Sequence, residues 1–458
     1  MTNYWNELAV GILVLVWISS SVAHAESADD PQYVAEPCCQ LCPDAQQGNA
    51  DVPGGIQEGR DGWLFTSSSR APTPVDSEYR RLLSLFATQL AERGSSVMLV
   101  MPPPRSVMYA VKQRENGNTD SLQKYLHTLN EFRQAGIQVP AYEQLLLQAD
   151  EQTTESFFFK RDLHWTSVGA RKTADFVADE IRKLPLFHQL PEQRFVTQTQ
   201  GWLKISGELN NQSGAACGGQ RYPLEYTPLF VTRAVSENTD KPNHILLVGS
   251  SRSVDSRFNF NGFLQQALAR RIENHTDATG NSTQSWLRML ASDRFRYQPP
   301  ALVLWELPYE SRELSTSLLR QMVALVGNGC ETRPVLLHEV KTISGSQTED
   351  LIFADKLLET APEQLVFDLT FNNPKIEQLL LTVWFSDGGK SDFQIRKNTA
   401  AMTDGRFSFV LGNIPSGQQR KFVSMDLTLP DSQIRNLKVS TNVCRLQNKL
   451  LQSAGRSS

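Results

Sequence analysis

The sequence predicts an α/β domain with a mainly parallel sheet, followed by an all-β sandwich. Up to residue 326, short and continuously apolar runs alternate with amphipathic helical patterns, which is typical of strands covered by helices on both faces. Helical periodicity then disappears, and short runs follow one another between Gly, Pro, Asn and Asp. At 458 residues the chain is also too long for one ordinary core.

The helices of the first part are predicted from apolar residues spaced three and four apart. The clearest helix spans 77–93, with Asp76 as its N-cap and Gly94 as its stop. Further helices are predicted at 121–135, from Thr166 or Ser167 to about residue 181, from near Phe260, and at 316–326.

The strands of the first part are short apolar runs at 97–101, 245–248 and 302–305. In parallel sheets of this class, ligands bind at the carboxyl ends of the strands. The turn after residue 248, and Glu306 with Tyr309, occupy such ends. The strands of the sandwich are predicted at 335–340, 365–369, 379–385, 407–411, 422–429 and 437–439.

Residues 1–25 carry the features of a secretory signal peptide. The apolar run 8–18 is too short to span a bilayer easily, and Ala23-His24-Ala25 offers a cleavage site. The run is preceded by no Lys or Arg, so an uncleaved anchor stays open as the alternative. We therefore expect a signal peptide at 1–25, an α/β domain at 26–329 and a β domain at 330–458.

Export makes the six cysteines candidates for disulfide bonds. Cys330 and Cys444 bracket the β domain, and a bond between them is worth about 4–5 kcal/mol by the chain-entropy model. Cys217 is expected to pair with one of Cys38, Cys39 and Cys42, and the sequence leaves that choice open.

Several ligand classes find no support in the composition. Charge is nearly balanced, with 45 basic and 49 acidic side chains, which gives no reason to expect a nucleic acid partner. The Cys39-x-x-Cys42 pair has no His or Cys cluster beside it to complete a zinc site. No nucleotide-phosphate or coenzyme A motif is visible, so we expect neither a cofactor nor a metal.

The candidate chemistry lies in two short stretches. Asp162 stands two residues before His164, and in extended backbone such residues point to the same side. A carboxylate there would orient the imidazole as a general base. Much later, an apolar strand enters the turn Gly249-Ser250-Ser251. We predict Ser251 as the nucleophile of an acyl transfer, with Ser250 and Ser253 as the competing serines.

These stretches resemble a known superfamily. Gly249-Ser250-Ser251 is similar to the Gly-Asp-Ser block of SGNH hydrolases, with Ser250 in place of Asp. Asp162-x-His164-Trp165-Thr166 resembles the acid–base block of the alginate O-acetylation branch, in which Asp and His precede Ser. The resemblance extends to residues 61–65, to residues 304–306, and to a C-terminal β domain closed by paired cysteines.

The resemblance implies a periplasmic O-acetyltransferase that acetylates mannuronate hydroxyls in alginate during export. It implies the polymer, an envelope acetyl-donor protein and secretion-complex proteins as partners. The family's basic-x-Thr-x-Trp-x5-Arg pattern corresponds here to Leu380, Thr382, Trp384 and Lys390. Thr382, Trp384 and Lys390 are therefore expected to bind uronate, more weakly because Lys lacks Arg's bidentate fork. Ordinary sandwich core is the alternative for Trp384.

Two further residues are weaker candidates for sugar contacts. Arg105 follows three prolines and is placed to meet an anionic sugar, and Tyr309 follows a buried strand. Tyr309 would donate a hydrogen bond near the acyl group, and an exposed loop position is its alternative. Trp305 and Glu306 are expected to shape the pocket, and packing is the alternative for Trp305. Two other functions stay open: a polymer-binding scaffold of the secretion complex with a vestigial triad, and an acetyl esterase that uses water in place of the sugar.

Overall fold

The structure, a computed structural model, describes residues 55–66, 77–113, 119–148, 156–216, 222–235, 244–310, 315–343, 348–353, 355–396, 404–412, 420–429 and 437–446. The expected signal peptide and the expected bond of Cys217 lie outside these residues. Within them, no helix combines the length and the apolar character that crossing a membrane requires.

The first domain contains helices and strands in alternation. In chain order they are β1 (Ile56–Glu58), β2 (Leu64–Thr66), α1 (Ser77–Glu92), β3 (Ser96–Val100), α2 (Arg105–Met108), α3 (Thr119–Gln134), α4 (Tyr142–Gln148), α5 (Ser167–Arg182), β4 (Phe195–Ile205), α6 (Glu208–Ala216), β5 (Glu225–Ala234), β6 (Ile245–Val248), α7 (Ser251–Val254), α8 (Phe260–Leu268), β7 (Glu273–Asn274), α9 (Ser282–Ala291), α10 (Asp293–Tyr297), β8 (Leu302–Glu306) and α11 (Thr316–Val326).

A parallel sheet lies at the centre of this domain, in the order β3-β8-β6-β7. All three strand pairs are parallel, and Val248 of β6 lies beside Trp305 of β8. Strands β3, β6 and β8 are almost entirely buried, as expected for a sheet with helices on both faces. The predicted fold class of this domain is therefore confirmed, and the carboxyl ends of β6 and β8 meet at one edge.

A long antiparallel pair, β4 with β5, was not predicted. Its strands consist mostly of half-buried and exposed residues and carry many polar side chains. The pair packs against α5 and α8. Ser167, at the start of α5, hydrogen-bonds with Thr227 of β5 at 2.8 Å between their hydroxyl oxygens. The pair therefore supports the N-terminal end of α5 from the side.

The second domain is a sandwich of two antiparallel sheets, which confirms the predicted all-β class. Its strands are β9 (Val335–Ile343), β10 (Glu349–Phe353), β11 (Leu365–Phe371), β12 (Gln378–Phe385), β13 (Lys390–Arg396), β14 (Arg406–Val410), β15 (Phe422–Thr428) and β16 (Leu437–Arg445). One sheet has the order β14-β11-β16-β9 and the other the order β10-β15-β12-β13. Leu, Val, Ile and Phe side chains from both sheets form its core.

The two domains pack directly on each other. Arg320 of α11 donates to the carbonyl of Val410 at 3.3 Å, and Gln321 donates to the carbonyl of Arg396 at 2.9 Å. Cys330 and Cys444 form the predicted disulfide, with Cα atoms 5.6 Å apart. Both cysteines belong to the hydrophobic core of the first domain. The bond therefore ties the last strand of the sandwich to the point where the first domain ends.

Candidate active site

The acid–base segment is a loop between Phe158 and α5. Phe158 and Trp165 pair as an isolated antiparallel bridge and close the base of this loop. The backbone N–H groups of Lys160 and Arg161 donate to the two carboxylate oxygens of Glu225, at 2.7 and 2.9 Å. These contacts hold the backbone just ahead of Asp162 against strand β5.

Thr166 forms the N-cap of α5 by accepting a hydrogen bond from Gly169 N at 3.1 Å. An Oγ1 acceptor at this position satisfies one of the free N–H groups of the first helical turn. Of the two caps proposed from the sequence, the structure uses Thr166. The cap fixes the chain two residues after His164.

Asp162 is 3 % exposed, and both of its oxygens accept hydrogen bonds. Oδ1 accepts from His164 Nδ1 at 2.7 Å and from His164 N at 2.8 Å, and Oδ2 accepts from Glu208 N at 2.7 Å. Burial alone would raise the pKa of the Asp162 carboxyl, but the hydrogen bonds from His164 and Glu208 outweigh it and lower the pKa below its usual value. Asp162 is therefore ionised at neutral pH.

An ionised Asp162 fixes the tautomer of His164. Nδ1 carries the proton that it donates to the carboxylate, which leaves Nε2 as an acceptor. Nε2 lies 2.9 Å from Ser251 Oγ. The ring of Phe258 stacks on the imidazole, with centroids 5.4 Å apart and planes 28° apart. The imidazole is thus held from its edge and from one face, with Nε2 directed at the Ser251 hydroxyl.

Three serines occupy the turn after β6, and the structure assigns them different contacts. Ser250 is the N-cap of α7, and its N–H and its hydroxyl both donate to Glu306 Oε2 at 2.7 Å. The Ser253 hydroxyl donates to the same carboxylate oxygen at 3.0 Å. Of the three serine hydroxyls, it is that of Ser251 that meets the imidazole.

Glu306 distinguishes the three serines, because it binds the hydroxyls of Ser250 and Ser253. It ends β8, is fully buried, and reaches the turn from the neighbouring strand. A Cβ at Gly249 would lie 2.7 Å from Glu306 Oε2 and 2.4 Å from Ser253 Oγ. Position 249 therefore needs glycine, because the carboxylate and the Ser253 hydroxyl fill the space beside it.

Arg252 joins the two stretches of the site. Its side chain is 6 % exposed, and Nη2 donates to the carbonyl of Leu163 at 2.9 Å. Leu163 lies between the acid and the base. The Arg252 guanidinium also lies 5.5 Å from the ring centroid of Phe158 and 3.7 Å from the Glu310 carboxylate. The residue after Ser251 thus anchors the loop that carries His164, a contact that the sequence did not predict.

Gly280 lies against the backbone of Ser251. It has φ +72, and a Cβ there would lie 2.7 Å from both N and Cα of Ser251. The Gly280 N–H donates to the carbonyl of Asp277 at 2.8 Å. Ser251 is the first residue of α7. The first N–H groups of a helix have no hydrogen-bond partner within that helix. Position 280 therefore needs glycine, because its backbone packs directly against that of Ser251.

The three residues expected to bind uronate lie together on one exposed sheet face. Trp384 is 38 % exposed, so it is not a core residue, and its Nε1 donates to Asp426 Oδ2 at 2.7 Å. Thr382 donates to Asp392 Oδ1 at 2.7 Å. Lys390 Nζ lies 5.9 Å from the Trp384 ring centroid and 3.8 Å from Asp392.

The structure corrects the expectation for Arg105. Its side chain is 4 % exposed, and Nη2 donates to the carbonyls of Leu64 and Lys160 at 2.7 and 2.9 Å. Burial lowers the pKa of the Arg105 guanidinium to about 10. A cation this deeply enclosed supports the loop backbone and does not meet a sugar.

Tyr309 and Trp305 are also buried. Tyr309 was expected at an exposed position or beside an acyl group, but it is 3 % exposed and packs edge-on against Tyr125 at 5.5 Å. Burial raises its pKa to about 12. Trp305 is fully buried and packs against Trp286 at 5.2 Å. Tyr309 and Trp305 therefore serve packing, and Glu306 holds the turn that carries Ser251.

Among the residues that the structure describes, no three His, Cys, Asp or Glu side chains gather as a group that could hold a metal ion. What the arrangement offers is a hydroxyl, an imidazole and a carboxylate in one hydrogen-bonded line, with a backbone N–H beside the hydroxyl. This line can remove a proton from the Ser251 hydroxyl and store it on the imidazole.

Comparisons with known proteins agree on one family. The family model described as "SGNH hydrolase-like domain, acetyltransferase AlgX" matches residues 56–309, and a C-terminal carbohydrate-binding module matches residues 329–456. Alginate biosynthesis protein AlgX of Pseudomonas syringae pv. tomato is 29% identical over 93% of this chain and 92% of its own length.

A second group of relatives matches a little over half of the chain. The probable alginate O-acetylase AlgJ of Pseudomonas putida is 28% identical over 56% of this chain and 69% of its own length. The solved structure of Pseudomonas aeruginosa AlgX superposes with a TM-score of 0.73 at 27% identity, over 89% of this chain and all of that one. The likeness therefore covers both domains.

Proposed function

The chain belongs to the family of SGNH hydrolase-like acetyltransferases that the AlgX model describes, and from this membership and the site geometry we propose that it transfers acetyl groups to mannuronate hydroxyls of alginate. The observation that carries the proposal is the line from Asp162 through His164 to Ser251, with hydrogen bonds of 2.7 and 2.9 Å. This geometry supports an enzyme over a scaffold.

The first half-reaction forms an acyl-serine. Ser251 Oγ attacks the carbonyl carbon of an acetyl ester while His164 Nε2 takes the hydroxyl proton. The Ser251 N–H, at the start of α7, is placed to donate to the oxyanion of the tetrahedral intermediate. As the intermediate collapses, the leaving oxygen takes the proton from His164, and the acetyl group remains on Ser251.

The second half-reaction delivers the acetyl group to the polymer. A mannuronate hydroxyl gives its proton to His164 Nε2 and attacks the acyl carbon, and Ser251 Oγ leaves and regains that proton. Asp162, ionised because its hydrogen bonds lower its pKa, stabilises the imidazolium that exists between these transfers. Water in place of the sugar would give the esterase reaction, so the acceptor hydroxyl has to displace it.

We place the polymer on the second domain as well as at the triad. Thr382, Trp384 and Lys390 lie on an exposed face, and the family model for a carbohydrate-binding module covers them. We propose that this face holds alginate while the first domain acetylates it.

The disulfide between Cys330 and Cys444 suits an oxidising compartment. We propose that the protein acts in the periplasm, with envelope proteins as its acetyl donor and its secretion partners.

The test is acetyl transfer from an activated ester to oligomannuronate, followed by mass spectrometry of the sugar. Ser251→Ala is expected to remove transfer above the uncatalysed rate. Ser253→Ala, the matched control in the same short helix, loses one hydrogen bond to Glu306 and is expected to retain most activity. If Ser251→Ala transfers acetyl as fast as the unaltered protein, the assignment of the nucleophile is wrong.

A further inference from the structure

The outer face of the sheet β10-β15-β12-β13, hereafter the outer sheet face, carries a row of side chains outside the Thr382, Trp384 and Lys390 group. Strand register places Phe353 beside Ser424, Ser424 beside Trp384, and Trp384 beside Lys390. Paired residues of neighbouring strands point to the same side of a sheet. The four side chains therefore form one row that crosses all four strands, hereafter the aromatic row.

Both rings of the aromatic row face solvent. Phe353 is 64 % exposed and Trp384 is 38 % exposed, whereas their chain neighbours Ile352 and Val383 are fully buried in the sandwich core. The indole is held in place by its hydrogen bond to Asp426. Strand β15 lies between the strands that carry Phe353 and Trp384, so the backbones of these two residues are about 10 Å apart. That separation suits alternate rings of an extended polysaccharide chain.

A second row runs parallel to the first and is acidic. Register places Asp350 beside Asp426, Asp426 beside Thr382, and Thr382 beside Asp392. Three aspartates of the outer sheet face thus lie beside one lysine, Lys390, and Arg396 lies on the same face at the far end of β13. A polymer with one carboxylate on each sugar is repelled by this acidic row and attracted by Lys390 at the end of the aromatic row.

We propose that the outer sheet face binds one polyuronate chain that crosses the strands, with Phe353 as a second stacking site beyond Trp384. Alternate sugar rings stack on the two aromatic side chains, and one sugar carboxylate pairs with Lys390. The acidic row repels the remaining sugar carboxylates and faces the edge of the polymer that carries its hydroxyl groups. This inference rests on the proposed function for the identity of the polymer, but the two fail in different experiments.

The spacing of the rings predicts a dependence on chain length. A short oligomannuronate reaches one ring only, whereas a longer one reaches both. The full chain carrying Ser251→Ala, which leaves the ligand unmodified, is titrated calorimetrically with oligomannuronates of increasing length. Phe353→Ala in that background is expected to weaken binding of the long oligomers roughly five- to tenfold, as for partial burial of one aromatic side chain, and to leave dimer binding unchanged.

The matched control is Val340→Ala, because Val340 is 61 % exposed on β9 of the other sheet. It is expected to bind oligomers of every length as well as the background protein does. Thermal unfolding of both variants checks that the fold is intact. If Phe353→Ala binds long and short oligomers as tightly as the control, the second stacking site is wrong.

The acidic row has its own test. Asp350→Asn removes one charge at similar size, and relief of carboxylate repulsion across a solvated gap predicts about twofold tighter binding of long oligomannuronates at low salt. Weaker binding by this variant would overturn the proposed orientation of the chain. If uncharged β-linked mannan shows the same dependence on Phe353 while oligomannuronate shows no binding, the stacking row stands and alginate is removed as the polymer, which overturns the proposed function instead.

Discussion

Replacement of Asp162 by asparagine tests the electrostatics of the site at constant shape. Asp162 Oδ1 lies 2.7 Å from His164 Nδ1, and its carboxylate is held ionised. The amide removes the charge that stabilises the imidazolium. An amide NH₂ directed at Nδ1 would also favour the tautomer in which Nε2 carries the proton. In that tautomer Nε2 is unable to accept the proton of Ser251.

The magnitude follows from the charge separation. Opposite unit charges about 4 Å apart attract by about 4 kcal/mol at an effective dielectric constant of 20. That energy corresponds to a rate factor of about 10³. The equivalent change in the triad of serine proteases lowers kcat about 10⁴-fold, because it also reverses the tautomer. We therefore expect kcat for acetyl transfer to fall by about 10³- to 10⁴-fold, with little change in KM.

The assay is steady-state acetyl transfer to oligomannuronate at neutral pH. Asp255→Asn is the matched control, because Asp255 is a nearby carboxylate that pairs with Arg257 at 2.6 Å. It is expected to lower kcat less than about threefold, as is usual for an exposed ion pair. A loss of less than tenfold in Asp162→Asn, with the fold intact, would refute the role given to this carboxylate.

Three further predictions concern stability and packing. Because hydrogen bonds lower the pKa of Asp162 in the folded state, its contribution is present above the unfolded pKa of about 3.9 and is lost as the pH falls through the lower folded value. In urea unfolding, the difference in stability between wild type and Asp162→Asn should therefore be largest at pH 7 and shrink as the pH falls below about 3.9. Gly280→Ala should abolish most transfer, because its Cβ would lie 2.7 Å from the nucleophile's backbone N, whereas Gly388→Ala, also at positive φ but with nothing within 4 Å, should cost stability alone. Serine at both Cys330 and Cys444, which are 114 residues apart, should lower the free energy of unfolding by about 2–5 kcal/mol in denaturant titrations.

Much of the fold was predictable because local pattern and burial agree. The predicted helix 77–93 is observed as Ser77–Glu92, and the helix at 316–326 is observed as Thr316–Val326. The central strands are apolar throughout because both faces of the sheet are covered. The pair Phe195–Ile205 and Glu225–Ala234 was missed because its faces are half-exposed and polar, and because a helix rather than a tight turn joins the strands.

The site was predictable where it depends on local spacing and not where it depends on the fold. Asp162 and His164 are two residues apart and meet directly. The choice of Ser251 over its neighbours depends on Glu306, which reaches the turn from another strand. Arg105, which looked available to a ligand after three prolines, is enclosed beneath the acid–base loop.

The most direct test of the central claim is mass spectrometry of the protein after brief exposure to an activated acetyl ester. We predict one added acetyl group on the peptide that contains Ser251, and its loss when oligomannuronate is added, with acetylated sugar appearing at the same rate. Acetylated sugar that forms with no acyl-enzyme at Ser251, or an acyl group there that the sugar does not remove, would contradict it.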